Sequence, residues 1–437
     1  MARSLKLLPR IELRGRPEPL LGGARLLGRR GDALAARAPL VVGTIRMGYG
    51  HYRMGRAAAT WGVRAGRDVF VHDPLAIASL EASLLRASEW AYSAASRLSS
   101  ELGGPVERAW GRLMKTGGRE SQAASRRLGA RLARLMDGLP RDWPVVCAHP
   151  WNAHLAVECG FTRVVNLVPD NFPQHFLVVP GALNLAQCEE SRRALLALGV
   201  PAGRTDAVGH WVPAELAENA TADGDARLER LKRGAPPRVL VSIGGAGGQG
   251  AFLERLLRAL SEPLAEGRLR LLLNAGDHAA MLSRFERLWP ELGLPPARLD
   301  GAAAVDDFVA RHPLAGPEPA GALVSAAGPL EAVAATDRLM RAADILITKP
   351  SELAFFPIPK LHIRRVGDHE APGARYSAEL GDGTPEQREP DDAAALLRRW
   401  LADPEELARL NEGVKAAARR GVYHGAEKAV ARALSLR

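Results

Sequence analysis

Short β-branched runs and helical stretches alternate along this chain in two successive series, and each series opens on a strand that runs into a glycine-rich turn. In the first, residues 39–45 read as a buried strand, a helix follows from about Tyr52 to Ala65, and residues 68–72 form the next strand. Strands at 144–148 and 163–168 and a helix at 189–198, stopped by Gly199 and Pro201, continue it. The polar stretch 212–225 is the best linker candidate. Beyond it come strands 238–243, 269–274, 322–326 and 344–348, interleaved with helices 249–262, 277–288 and 330–342, and then helix over 391–435. Such βαβ repetition commits the strands to parallel sheets with helices on both faces. Two series predict the α/β class, with two doubly wound Rossmann-like domains facing a cleft and ligands at the carboxyl ends of strands. The expected organisation is a loosely structured basic leader at 1–38, a first domain at 39–215, a second at 216–420 and a C-terminal helix at 421–437.

Composition removes several classes. No apolar run approaches the ~18–20 residues of a membrane span, and the start of the chain lacks a signal-peptide core, so the expected location is cytoplasmic. The three cysteines, Cys147, Cys159 and Cys188, are too few and too far apart for a disulfide framework. Aromatic residues are 5% of the chain, which argues against a base-stacking platform, and no nucleic-acid partner is expected. The net charge of +10 is concentrated: residues 1–38 carry nine basic and three acidic residues, and residues 97–141 carry ten and four. An anionic partner suits such patches, a membrane surface or a phosphorylated substrate; solvated arginine faces are the plainer account. Leu128, Leu132 and Leu135 recur at helical spacing among Arg126, Arg127, Arg131 and Arg134. That helix either lies on an anionic membrane or, more commonly, packs its leucines on the core.

Three strand-to-loop junctions carry candidate chemistry. Ser242 to Gly250 follows a strand and opens a helix, so backbone N–H groups there can approach a phosphate. Gly245, Gly247 and Gly250 spell a dinucleotide fingerprint, but the next strand closes on Asn274-Ala275-Gly276 without its acidic partner. In the first half, Thr44 to His51 repeats the pattern, with His51 at a helix entrance as either a general base or a cap, and Arg46 and Arg53 placed to hold anions. The third junction, Asp344 to Glu352, puts a carboxylate where it can take both ribose hydroxyls or merely cap a helix. Asp223-Gly224-Asp225 reads as polar linker rather than a metal site, and His149 and His154 bracket a turn in structural roles or on an acceptor side.

In combination these motifs resemble the GT-B glycosyltransferases, above all the monogalactosyldiacylglycerol synthases and the lipid II-forming N-acetylglucosaminyltransferase. Met47-Gly48-Tyr49-Gly50-His51 resembles their Gly-Gly-Gly-His loop, Val168 to Phe172 their Thr-Asp-Phe segment, Gly209 to Pro213 their Gly-Ile-Pro-Val, and Gly244 to Gly250 their diphosphate loop. Lys349 to Glu352 and Gly367 to Glu370, with the later Gly383-Thr384, fall where that family binds the nucleoside and the sugar. The resemblance implies that the first domain binds the acceptor and the second the donor. His51 would be the catalytic base, and Asp170, near the acceptor side, a second catalytic residue. Gly244, Gly245, Gly247, Gly248, Gln249, Lys349, Ser351, Glu352, His369 and Glu370 would contact the donor, and Arg46, Gly48, Tyr49 and Gly50 would lie on the acceptor side. The implied reaction is metal-independent inverting transfer from a nucleoside-diphosphate sugar, a UDP-sugar first among them, to a hydroxyl acceptor such as a membrane lipid, with no cofactor beyond that co-substrate. The enzyme would work at the inner face of the membrane through its basic N-terminal domain. The chain departs from the pattern at the missing Gly-Gly-Thr spacer before Glu352 and at Ala371 to Ala374, where the family has Asn. An epimerase or hydrolase of the same fold, marked by extra cleft carboxylates, and a non-catalytic binding protein are the alternatives. An NAD-dependent oxidoreductase is disfavoured by the absent acidic partner.

Overall fold

The computed structural model describes residues 11–77, 79, 82–83, 86, 118–244, 248–293 and 297–437. It consists of two sheets. The first has the order β1-β2-β4-β3-β5-β6-β7-β8, with β1 (Arg14–Pro17), β2 (Arg25–Gly28), β3 (Pro39–Gly43), β4 (Asp68–His72), β5 (Val145–Cys147), β6 (Val164–Leu167), β7 (Leu183–Ala186) and β8 (Thr205–Ala207). All pairings are parallel except β1 with β2. The second sheet is wholly parallel, in the order β11-β12-β10-β9-β13-β14. Its strands are β9 (Arg238–Ser242), β10 (Arg270–Asn274), β11 (Ala297–Asp300), β12 (Ala322–Ser325), β13 (Ile345–Thr348) and β14 (Lys360–His362). This is the predicted α/β architecture, two doubly wound Rossmann-like domains facing a cleft.

The continuous apolar strands are explained by burial on both faces. In β9, Val239 and Val241 pack into one cluster and Leu240 into another; Leu271, Leu273 and Leu272 of β10 divide in the same way, as do Ile345, Ile347 and Leu346 of β13. Val41 in β3 likewise faces away from Leu40 and Val42. The cluster holding Leu40, Val42, Leu240 and Leu346 runs through both domains. It joins helix Gly50–Arg64 to the last helix, Gly425–Ser435, which crosses back onto the first domain. A Cβ on Gly425 would strike the carbonyl oxygen of Gly209, so that crossing needs a glycine.

Two expectations are corrected. The described part of the basic leader, residues 11–38, is not loose: it supplies β1 and β2 and buries Ile11, Leu13, Leu21 and Leu27. Pro17 ends β1 and Pro19 opens the 3-10 turn after it. Residues 212–225 are not a linker. Pro213 precedes a 19-residue helix, Ala214–Lys232, in which a Cβ added at Gly224 would sit 2.8 Å from Lys415 Cγ. Within it Asp223 pairs with Arg341 at 3.1 Å and Asp225 with Lys415 at 2.8 Å, so the Asp-Gly-Asp run is tied down by cations. Of the helical reading of 77–137, residues 119–132 form the helix, with a 3-10 turn after it; residues 87–117 lie outside the described residues. Leu132 and Leu135 are buried while Arg127 and Arg131 are exposed, so this helix packs its leucines on the core. Among the described residues no helix is long and apolar enough to cross a membrane.

Candidate active site

Helix Gly50–Arg64 follows β3 across the loop of residues 44–49, at the carboxyl end of the first sheet, so its first turn faces the cleft. There His51 Nδ1 lies 2.6 Å from the Ala148 carbonyl oxygen. A carbonyl only accepts, so Nδ1 carries the proton and Nε2 keeps its lone pair. Burial lowers the His51 pKa below the ordinary value; the Ala148 carbonyl and the Glu352 charge act the other way. The half-buried imidazole is therefore neutral at pH 7, with one basic nitrogen. His149 stands edge-on to it, ring centres 4.4 Å apart. It caps the next helix, its Nδ1 accepting from the Trp151 N–H at 3.1 Å, and burial with its histidine neighbours holds it neutral. The structural reading of His149 holds. His154, 1% exposed, is buried behind it with its pKa lowered to about 4 by burial.

The second domain supplies charges opposite His51. Lys349, just past β13, forms an ion pair with Glu370, whose other oxygen accepts from the Val366 N–H at 2.8 Å. Burial works to raise the Glu370 pKa, but Lys349 and His369 outweigh it and hold the carboxyl below its usual range. The Lys349 stem passes Gly244 so closely that a Cβ there would sit 2.7 Å from Cε. Glu352 reaches across to the first domain, 3.7 Å from Arg53 Nε and beside Gly50. Asp170 comes from the loop after β6. Burial and the charges of Glu370 and Glu352 push its pKa up, against His369 and Lys349. Asp170, Lys349, Glu352, His369 and Glu370 thus share one electrostatic neighbourhood, and Glu352 links it to His51.

Beside the apolar cluster that runs through both domains lies a buried ionic seam. Arg53 and Arg56, one turn apart on the same helix face, share Asp337 of helix Pro329–Met340 at 3.2 and 2.6 Å, all three side chains being 5% exposed or less. Arg53 also donates to Thr336 at 3.2 Å and Arg56 to the Leu20 carbonyl at 3.0 Å. Above the seam Tyr49 donates to Asp277 at 2.5 Å and accepts from its N–H at 3.1 Å. Gly276, at φ +59°, makes room: a Cβ there would strike the Tyr49 hydroxyl. Burial first, then the Asp277 charge, raises the Tyr49 pKa.

Residues 200–434, more than half of the chain, match the family model described as Domain of unknown function (DUF6938). The chain belongs to that family. Residues 18–194 match a second model, Domain of unknown function (DUF6937). No curated protein matches the chain. Among solved structures, it is similar to the S. aureus MnaA–UDP co-structure, at 11% identity over 89% of this chain and 95% of that one, TM-score 0.48. It is similar to UDP-GlcNAc 2-epimerase from Neisseria meningitidis bound to UDP-GlcNAc, at 12% over 90% and 97%, TM-score 0.47. A third is α,α-trehalose 6-phosphate synthase from Burkholderia multivorans, at 14% over 91% and 98%, TM-score 0.45. None of these names is a monogalactosyldiacylglycerol synthase or a lipid II-forming enzyme.

The sequence-predicted residues are distributed as follows. His51, Gly50, Asp170, Glu352, Lys349, Glu370 and His369 converge in the cleft. Gly244 lies against Lys349, and Ser351, 8% exposed, is held by its N–H to the Lys349 carbonyl at 2.8 Å. Gln249 turns its side chain to the Arg364 carbonyl and adopts φ +71°, the one left-handed non-glycine among the described residues. Gly248 is half-buried before it, while Gly245 and Gly247 lie outside the described residues. Tyr49 is spent on Asp277 rather than left open to an acceptor, Gly48 turns the chain toward it at φ +72°, and Arg46 lies 3.5 Å from Asp277. The reading along the chain missed Asp337 and Asp277, which sit in ordinary helix and turn contexts. A faint signal existed in Arg53 and Arg56, at i and i+3 on a helix otherwise rich in alanine.

Proposed function

We infer that the protein is an inverting, metal-independent glycosyltransferase acting on a nucleoside-diphosphate sugar, a UDP-sugar first among them. The reading rests on one observation: His51, its Nδ1 proton engaged by the Ala148 carbonyl and its Nε2 free, stands at a helix entrance across the cleft from Lys349, Glu352 and Glu370. His51 Nε2 takes the proton of the acceptor hydroxyl as its oxygen attacks the anomeric carbon. The bond from that carbon to the diphosphate breaks, and the nucleoside diphosphate leaves with the electron pair. Lys349 and the N–H groups near Gly244 meet the charge growing on the diphosphate, and Glu352 is the candidate for the ribose hydroxyls. The exposed Arg119, Arg127 and Arg131 suit an anionic membrane surface, so that an acceptor lipid would be met there; failure to pellet with anionic liposomes would remove this part.

A second reading, an epimerase or hydrolase of nucleotide sugars, is favoured by the three carboxylates Asp170, Glu352 and Glu370 gathered in the cleft. Calorimetry against UDP, GDP, ADP, dTDP and NADH tests both. Selective micromolar binding of one nucleoside diphosphate is expected, retained in His51→Ala. Turnover of its sugar conjugate that needs an added hydroxyl acceptor supports transfer, and turnover without one supports the second reading. Preference for NADH, or no binding by the folded protein, overturns both.

A further inference from the structure

Beside the cleft, at the carboxyl ends of β3 and β4, lies a cavity of about 670 Å³, within the roughly 300–1,000 Å³ of small-molecule sites. Its floor is the first domain and its roof is the start of helix Pro329–Met340 from the second. Neither the proposed transfer chemistry nor the family description uses it. Leu21, Leu26, Val71 and Leu330 form an apolar wall. Asp73, 3% exposed, also lines the cavity, accepting from the Tyr52 hydroxyl at 2.5 Å and from the Leu75 N–H at 2.9 Å. Each carboxylate oxygen retains a second lone pair for an incoming donor.

The charged groups around the cavity divide into spent and unspent. Arg56 is taken by Asp337 and the Leu20 carbonyl, Arg86 by the Leu75 carbonyl and the Ser83 hydroxyl, and Glu331 by the N–H groups of Ala302 and Ala327. Arg46 and Arg16 hold only long ion pairs, 3.5 Å to Asp277 and 3.9 Å to Glu18, and both are about half exposed or more. Their guanidinium donors remain for an anion, beside a buried acceptor that wants a hydroxyl and a wall that wants hydrocarbon.

We propose that this cavity binds an amphiphilic organic acid bearing a hydroxyl: the acid on Arg46 and Arg16, the hydroxyl on Asp73, the hydrocarbon against Leu26, Val71 and Leu330. The proposal does not depend on the transfer reading, since it concerns binding alone. Calorimetry of the full chain with 3-hydroxyoctanoate, octanoate and 1-octanol tests it. The hydroxy acid is expected to bind about tenfold more tightly than either probe lacking one polar group. Arg46→Gln is expected to erase the advantage over an alcohol, and Asp73→Asn the advantage over octanoate. Arg46 is on the surface, so its variant keeps the test alive if Asp73→Asn fails to fold. Equal binding of the three probes, no binding of 3-hydroxyoctanoate at millimolar concentration, or an unchanged ranking in Arg46→Gln overturns the proposal.

Discussion

Two successive turns of helix Gly50–Arg64 do opposite work. The first, Gly50 and His51, faces a polar cleft, and its histidine is left with an unused basic nitrogen. The next, Arg53 and Arg56, is sealed against the other domain with Asp337 between the guanidinium groups. The difference lies in what the second domain presents. A carboxylate delivered by a well-packed helix makes a lock, because a buried charge is tolerable only when paired and hydrogen-bonded. Groups arriving on loops, as Lys349 and Glu352 do, leave space for a ligand. Reactivity and rigidity thus sit about 5 Å apart along one helix, as the rise per residue requires.

The sharpest way to break this contrast is His51→Ala. Turnover should fall by two to four orders of magnitude, the usual worth of a general base, with nucleotide binding and thermal stability retained. A comparable loss of stability would mean that the first turn is a lock too. On the other side, Asp337→Ala should cost about 3–5 kcal/mol in denaturant unfolding by stranding two buried guanidinium groups; a cost below 1 kcal/mol would deny the seam its role.

Acid should separate the two turns. His51 acts as a base only when neutral, so the rate should decline as pH falls through its lowered pKa, below 6.5. Stability follows a different set of groups. His72, His154, His210 and His362 are each held at about 4, chiefly by burial. At these four sites, between pH 6.5 and 4, the unfolded chain binds more protons than the native one, so their contribution to stability drops as pH drops. It outweighs the opposite contribution of Asp73, whose pKa burial raises to about 6. Chemical denaturation at pH 7 and pH 5 should show that loss, several kcal/mol in order of magnitude.

Tyr49→Phe removes the hydroxyl shared with Asp277 and should cost about 1–2 kcal/mol, with part of it relieved in a Tyr49→Phe, Asp277→Asn double variant that no longer strands a buried charge. The smallest effect is the control. Arg127→Ala and Arg131→Ala, exposed on the helix of residues 119–132, should each change stability by less than about 0.5 kcal/mol, while liposome pelleting reports whether that face has another use.

Much of this molecule is legible along the chain. Period, β-branched runs and glycine turns determine β3 to β6, β9, β10, β12 and β13 to within a residue or two, because burial on both faces demands uninterrupted apolar runs and each crossover needs a helix. The short edge-side strands β7, β8, β11 and β14 leave no such run and escape the reading. The same local chemistry marks His51, Lys349 and Glu352, which follow strands directly. What the chain conceals depends on partners distant in sequence. The 11–38 region reads as loose because β1 and β2 are short, contain arginines and are stabilised by pairing, β1 with β2 and β2 with β4. The 212–225 run reads as a linker because its acids meet Arg341 and Lys415 only after folding. Asp337 resembles any helical aspartate until two arginines some 280 residues earlier close on it. Local propensity and periodicity decide elements, since both act over a few residues. Only tertiary structure decides which charges are paired and which are left free to react, since desolvation depends on what the fold brings within a few ångströms.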